Sequence, residues 1–287
     1  MVAESYLLCR PVGGLNDSLN QLEICWQYAA ATHRVLILDG MFSGMLDRWE
    51  RYFQIREDQV LRPVFYSDSM ADRLNTLTCQ PPAIAGAIDR YEVSTDGENC
   101  VEAASRSPLR FDLSRDHPEP LLVHHQYGGG TLSFAAIARL RLIPALAERI
   151  ATLKAEHPSY IAVHIRNTDY QTDYEPILDA LKVHPHAGEI LLCSDDARCK
   201  QRAREALGER IFSSTATPDT QGRSLHANPD LDRWEQNSNA LVDLAMLALA
   251  DQLFLTKTTS GVYSGFSLLA NFLHHHRPVL NGFLGVV

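Results

Sequence analysis

At 287 residues, 45% apolar and 21% charged, the chain has the length of two domains and the composition of an ordinary globular protein. A net charge of -9 excludes a broad electrostatic grip on nucleic acid or on an anionic lipid surface, because both need clustered Lys and Arg. It does not exclude a small anionic ligand, since one arginine and a helix N-terminus suffice to hold a phosphate.

In chain order, Met1-Val2-Ala3-Glu4-Ser5 carries no basic leader region, and the apolar stretch behind it is too short for a signal peptide. No run approaches the roughly 20 apolar residues of a membrane span. The expectation is a cytoplasmic protein without a transmembrane segment, any membrane association being peripheral. Tyr6–Arg10 reads as a buried strand and Pro11-Val12-Gly13-Gly14 as the break after it. Leu15, Leu19, Leu22, Trp26 and Ala29 recur at helical spacing, with Asn16 and Asp17 suited to the helix start, and Val35–Asp39 is the second strand. This is a βαβ opening. Residues 41–120 mix aromatic, charged and loop-forming residues without a clear period.

Leu121–His124 is strand-like, Gly128-Gly129-Gly130 is a break, and helical patterns run from Leu132 and again from Pro144. His157-Pro158 ends the second of these, which puts a domain boundary between residues 155 and 156. Beyond it, Tyr160–Ile165, Glu189–Cys193, Arg210–Phe212 and Gln252–Leu255 read as buried strands, with helical patterns over 196–207, 237–250 and 265–275. Such alternation implies a mostly parallel sheet covered on both faces, with ligands at the carboxyl ends of its strands. The six cysteines form no C-x-x-C pair, and Cys9, Cys25 and Cys193 lie in apolar runs, as buried free thiols do.

Four motifs sit at strand ends. Gly13-Gly14-Leu15-Asn16-Asp17 lets backbone approach a ligand closely, or simply turns into a helix; it is not a dinucleotide fingerprint. His164-Ile165-Arg166-Asn167-Thr168-Asp169 leaves a strand, so Arg166 either grips a diphosphate through its planar fork or pairs with Asp169. His164 suits a ligand contact or a satisfied core position. Ser194-Asp195-Asp196 follows a strand and can accept from paired N–H donors or cap the next helix. Ser264-Gly265-Phe266-Ser267 opens a helix whose N–H groups suit an anion, or is an ordinary serine cap. The His274-His275-His276 run points around a helix instead of converging, which argues against a metal site.

Taken in order, Gly-Gly-x-Asn, His-x-Arg-x-Thr-Asp, Ser-Asp-Asp and Ser-Gly-Phe-Ser-x-x-Ala resemble the GDP-fucose-dependent fucosyltransferase superfamily. That group includes the rhizobial nodulation fucosyltransferase, the α1,6-fucosyltransferases and the protein O-fucosyltransferases. The resemblance implies an α/β protein of GT-B type, with two Rossmann-like domains and the active site in the cleft between them. It implies that residues 1–155 are the acceptor side and 156–287 the donor side. It implies inverting transfer of fucose from GDP-fucose to a glycan or glycoconjugate hydroxyl, as in polysaccharide biosynthesis, with no metal and no further cofactor. Arg166 inherits the diphosphate, His164 and Asp195 the guanosine, and Ser264, Gly265, Phe266 and Ser267 the phosphate-side loop. Gly13, Gly14 and Asn16 complete the donor-binding set.

The α1,6 pattern carries a second arginine where this chain has Asn167, which unsettles the linkage. Transfer also needs a carboxylate base. An acidic residue shortly after His-x-Arg in the family points to Asp173 or Glu175, and Asp17 is the third candidate, on the acceptor side. Two alternatives stand beside this one: transfer from another nucleotide sugar, and a non-catalytic nucleotide-sugar-binding protein.

Overall fold

In the computed structural model, residues 4–97, 99–185, 188–218 and 232–286 are described. Met1–Ala3, which the targeting reading used, lie outside them. The chain divides into two compact units, Met1–Arg141 and Leu142–Val287.

The first unit opens with β1 (Tyr6–Pro11), α1 (Leu15–Thr32) and β2 (Val35–Leu38), as the apolar spacing predicts. The stretch without a clear period holds short elements: β3 (Phe53–Ile55), β4 (Val64–Phe65), α2 (Ala71–Asn75), β5 (Cys79–Gln80), β6 (Val93–Asp96) and β7 (Asn99–Glu102). β8 (Leu121–Gln126), α3 (Ser133–Arg139) and β9 (Leu140–Leu142) follow. The main sheet has the order β4-β2-β1-β8-β5, all parallel, while β3 pairs with β9 and β6 with β7. β1 and β8 are buried along their whole length, and their first halves, Tyr6–Cys9 and Leu121–Val123, are the apolar runs that a sheet covered on both faces demands. Tyr6 and Leu8 point to a core with Ile37, Leu121 and Val123, and the alternate residues Leu7 and Cys9 are just as buried on the other face.

The second unit comprises α4 (Pro144–Glu156), β10 (Tyr160–Ile165), α5 (Glu175–Lys182), β11 (Glu189–Ser194), α6 (Ala197–Leu207) and β12 (Ile211–Phe212). It closes with α7 (Arg233–Leu249), β13 (Gln252–Leu255), α8 (Gly265–His275) and α9 (Arg277–Leu284). Its sheet runs β12-β11-β10-β13, again parallel throughout. The division at Arg141 precedes the boundary expected at 155/156 because α4 packs on α7: Leu146 and Ile150 are buried, and Arg149 donates to Asn239 Oδ1 at 2.8 Å.

Alternation along β10 sets the chemistry of each face. Ile161, Val163 and Ile165 join a core with Leu178 of α5, Leu192 of β11 and Ala203 of α6. Tyr160 and His164 project the other way, where Tyr160 Oη donates to Met246 O of α7 at 2.6 Å. In each sheet the strand order reverses at one central strand, β1 or β10, and the crevice beside such a strand is where open α/β sheets take ligands. All six cysteines are buried free thiols, and among the described residues no helix is long and apolar enough to cross a membrane.

Candidate functional site

Three of the four motifs meet at the carboxyl end of the second sheet. β10 is flanked by β11 and β13, so the segments after Ile165, Ser194 and Leu255 leave the sheet side by side. Arg166 follows β10 and is 21% exposed at its side chain. Its Nη1 lies 2.6 Å from Asp195 Oδ2, and its Nη2 donates to Asp169 Oδ1 at 2.5 Å. The arginine therefore stands half-buried between two carboxylates, one from the neighbouring strand end and one from its own loop.

Asp195 is 6% exposed and carries more than that pair. Its Oδ1 accepts from Asn167 N at 2.7 Å and its Oδ2 from Thr168 Oγ1 at 2.6 Å. With Arg166, Asn167 and Thr168 all bonded to it, Asp195 fixes the arginine's position, and one acceptor site, on Oδ1, is left for a base edge. Asp196 takes the capping role: it is the N-cap of α6 and accepts from Arg198 N at 2.9 Å. Capping thus falls to Asp196, while Asp195 is bonded to the arginine and to the loop after β10.

His164 is 6% exposed, and its Nδ1 lies 2.6 Å from Ser267 Oγ. Burial, followed by the charges of Arg166 and Lys200, pushes the imidazole down to about 3, so it is neutral at physiological pH. The Phe266 ring tilts against it with centroids 5.1 Å apart. Ser267, expected on a phosphate, is 1% exposed and spends its hydroxyl on His164 and on Ser264 Oγ, 2.9 Å away. Ser264 caps α8 through Ser267 N at 3.1 Å, and Leu268 N bonds Ser264 O at 3.0 Å. That leaves the N–H groups of Gly265 and Phe266 as the helix start's available donors. A bond from Thr259 N to Gln171 O (2.7 Å) ties the loop after β13 to the loop after β10.

The three candidate bases differ sharply. Glu175 opens α5 and is held bidentately by Arg202 at 2.7 and 2.9 Å. Asp17, in the first unit, accepts from Gly14 N at 3.2 Å and closes the first turn of α1. Its carboxylate explains two glycines: a Cβ at Gly13, whose φ is +96°, would lie 2.8 Å from it, and one at Gly129 would lie 2.3 Å away. Asn16 accepts from Ser133 Oγ at 2.7 Å, so it too knits α1 to the 128–133 segment. Asp173 is exposed, and among the described residues it makes no hydrogen bond or ion pair.

Sequence reasoning missed Asn167, which it read only as an absent arginine. Besides binding Asp195 through its backbone, Asn167 donates from Nδ2 to Asp196 Oδ2 at 2.8 Å and accepts from Thr172 N at 3.0 Å. The signal was available: an Asn-Thr-Asp run directly behind a buried strand is side-chain turn chemistry. Half-buried Asp243 was also missed. It is pushed above the usual carboxylate range by burial and accepts from Ser214 and Thr215, while Lys200 Nζ donates to Thr215 O at 3.1 Å. Together these fix the segment after β12. Among the described residues no group of three His, Cys, Asp or Glu could hold a metal ion, the 274–276 histidines included.

No protein-family model matches the sequence, and no curated protein matches it. Solved structures do. The chain is similar to the fucosyltransferase NodZ from Bradyrhizobium, with a TM-score of 0.62 at 21% identity, over 94% of this chain and 93% of that one. It is similar to NodZ α-1,6-fucosyltransferase soaked with GDP-fucose, with a TM-score of 0.61 at 20% identity over 94% and 92%. POFUT1 in complex with GDP gives 0.56 at 14% identity over 96% and 97%. What is common at such identities is the fold, a mixed α/β chain with parallel sheets, and it extends over nearly the whole length.

Proposed function

We propose that this chain is a glycosyltransferase that moves fucose from GDP-fucose to a hydroxyl of a glycan. One observation carries the reading. A half-exposed arginine, positioned by a buried aspartate, stands at the reversal point of the second sheet beside a serine-capped helix start. Support comes from the likeness to proteins solved in complex with GDP or soaked with GDP-fucose. The two units of parallel α/β build are compatible with a GT-B arrangement, the first unit serving the acceptor and the second the donor. The leaving group is then nucleotide diphosphate, whose growing charge is met by the Arg166 fork and by the Gly265 and Phe266 N–H groups. That arrangement assigns no role to a metal.

Arg166 exchanges its Asp169 contact for the diphosphate while Asp195 holds it in place. Neutral His164, backed by Ser267, offers its remaining ring nitrogen to the nucleoside without adding charge. Inversion requires a base on the side of the sugar opposite the leaving group, and of the three candidates Asp173 is the one without a structural commitment among the described residues. Asp173→Asn should lower turnover by about 10²–10⁴ while sparing GDP binding. Glu175→Gln and Asp17→Asn should leave the rate largely intact wherever the fold holds. The reduced state of six buried thiols accords with a cytoplasmic site of action.

The deciding experiment is calorimetric titration of GDP, UDP and CMP, followed by transfer assays with GDP-fucose over a glycan panel. GDP should bind best, and its binding should weaken in Arg166→Ala. Preference for UDP or CMP would replace fucose with another sugar donor, an outcome that Asn167 in place of a second arginine permits. Tight GDP binding with neither transfer nor hydrolysis would leave a binding protein.

A further inference from the structure

The first unit contains a cleft that the donor chemistry does not use. It has a volume of about 350 Å³ and opens at the carboxyl ends of three parallel strands of the main sheet. Arg10 comes from the end of β1, Asp39 directly follows β2, and Tyr66 directly follows β4; Phe42, Asp68 and Asp89 complete the part that matters. Ligand pockets span roughly 300–1,000 Å³, so this one suits a single ring and its substituents, not a nucleoside diphosphate sugar.

Its floor is rigid. The Arg10 side chain is 1% exposed, with Nε bonded to Asp39 Oδ2 at 2.8 Å, Nη2 to Asp89 Oδ1 at 2.6 Å, and Nη1 to the Ile88 carbonyl. Its guanidinium lies over the rings of Phe42 and Tyr66, 5.0 and 5.3 Å from their centroids. Tyr66 Oη donates to Asp89 Oδ2 at 2.6 Å. The arginine is thus consumed in holding two carboxylates and two rings in fixed places.

The lining contains four carboxylates, Asp39, Asp68, Asp89 and Glu50, and only two guanidinium groups, Arg10 and Arg48. An anion is repelled by that balance. Acceptor oxygens are plentiful, and they are accessible: the Asp68 side chain is 91% exposed and reaches Arg48 only loosely, at 3.6 Å, while that of Asp89 is 34% exposed. Apolar surface stands beside them, Phe42 at 38% and Met41 at 47% exposure, more than a core residue of either type keeps. Hydroxyl donors in a ring plane together with a C–H face answer both features.

We propose that this cleft binds an uncharged sugar ring, its hydroxyls donating to the Asp68 and Asp89 carboxylates and its apolar face lying on Phe42. Naming that sugar as the acceptor rests on the transfer proposed above; its binding does not. The site requires a glycan partner, where a bare serine or threonine hydroxyl of a protein would leave the carboxylates and the ring unmatched.

The test is saturation-transfer NMR on the full chain with the methyl β-glycosides of N-acetylglucosamine, glucose and galactose, alongside calorimetry with GDP. At least one glycoside should take up saturation on its ring C–H protons. Phe42→Ala and the surface variant Asp68→Asn should each weaken that glycoside by about tenfold, with GDP affinity held within about twofold. No saturation of any glycoside by a protein that binds GDP overturns this assignment and leaves the donor reading standing. Equal glycoside binding in wild type and both variants overturns it as well. Glycoside binding that depends on Phe42 in a protein indifferent to GDP supports the cleft and sinks the donor reading instead.

Discussion

Both sheets place an arginine at the carboxyl end of their central strand and clamp it with the aspartate that directly follows a neighbouring strand. In the first unit Arg10 meets Asp39 after β2, at 2.8 Å; in the second Arg166 meets Asp195 after β11, at 2.6 Å. Each has a second carboxylate, Asp89 for Arg10 and Asp169 for Arg166. The difference lies in what surrounds them. Arg10 is 1% exposed, covered by aromatic rings, and bonded at all three nitrogens, so nothing of its fork is left for a ligand. Arg166 is 21% exposed, and its Asp169 partner is 39% exposed and sits on a loop. The same pair of residue types is closed off in one unit and reachable in the other, and access to water decides which can serve a ligand.

The sharpest way to break this contrast is to remove each arginine. Arg10→Ala leaves Asp39 buried without its countercharge and should destabilise the fold by about 3–5 kcal/mol, read as a fall in urea midpoint. Arg166→Ala leaves Asp195 with its Asn167 N and Thr168 Oγ1 donors, so it should lower the midpoint by less than Arg10→Ala does while losing about 10²–10³ in kcat, on the order of 3–4 kcal/mol of transition-state stabilisation. A variant of Arg10 that folds like the parent, or a variant of Arg166 that still turns over, would erase the distinction.

Acid should separate the units next. Burial, then Arg110, pushes His124 down to about 4; burial, then Arg10 and His124, pushes His125 down to about 3. Among the described residues of the second unit, His164 is the comparable group, also at about 3. In the unfolded chain each binds its proton near pH 6.5, so between there and the folded values the unfolded state carries more protons. Stability therefore rises with pH across that window and falls on acidification, by about 2 kcal/mol per histidine at pH 5. Asp243 in the second unit works in the opposite sense, because its raised folded value favours the native state as the carboxyl protonates. Amide exchange at pH 5 should accordingly rise first around β1 and β8. Uniform acceleration of both sheets would count against the histidines as the cause.

The smallest effect sharpens the role of Asp169. Its exposed contact with Arg166 is worth about 0.2–1 kcal/mol, so Asp169→Asn should tighten GDP binding by up to about fivefold. Weakened binding would mean that Asp169 orients the arginine for the ligand and does not compete with it.

Much of the fold was legible from periodicity. Leu121–His124, Tyr160–Ile165 and Glu189–Cys193 read as buried strands because a parallel sheet covered on both faces demands unbroken apolar runs. The 41–120 region was not legible, because β4 and β5 are two residues long and owe their existence to pairing with β2 and β8. No window of two residues carries a period. At the site, the sequence placed His164, Arg166 and Asp195 at strand ends and Ser264 at a helix start, and it offered capping as an alternative for the aspartates. It could not tell that Asp196 caps and Asp195 holds the arginine, nor that Ser267 turns inward to His164. Arg10 passed as the polar end of a strand, since its partners lie 29 and 79 residues away.

By itself, then, the sequence determined the elements and the ends at which polar residues emerge, because helix and strand periods and caps are local and act within a few residues. The tertiary structure decided which polar groups remain available. It buried Arg10, tied Glu175 to Arg202, wedged Asp17 between glycines, and left Arg166 half-exposed with Asp173 uncommitted beyond it. Exposure and countercharge are properties of packed neighbours distant in the chain, and they separate an arginine that holds a fold together from one that can hold a phosphate.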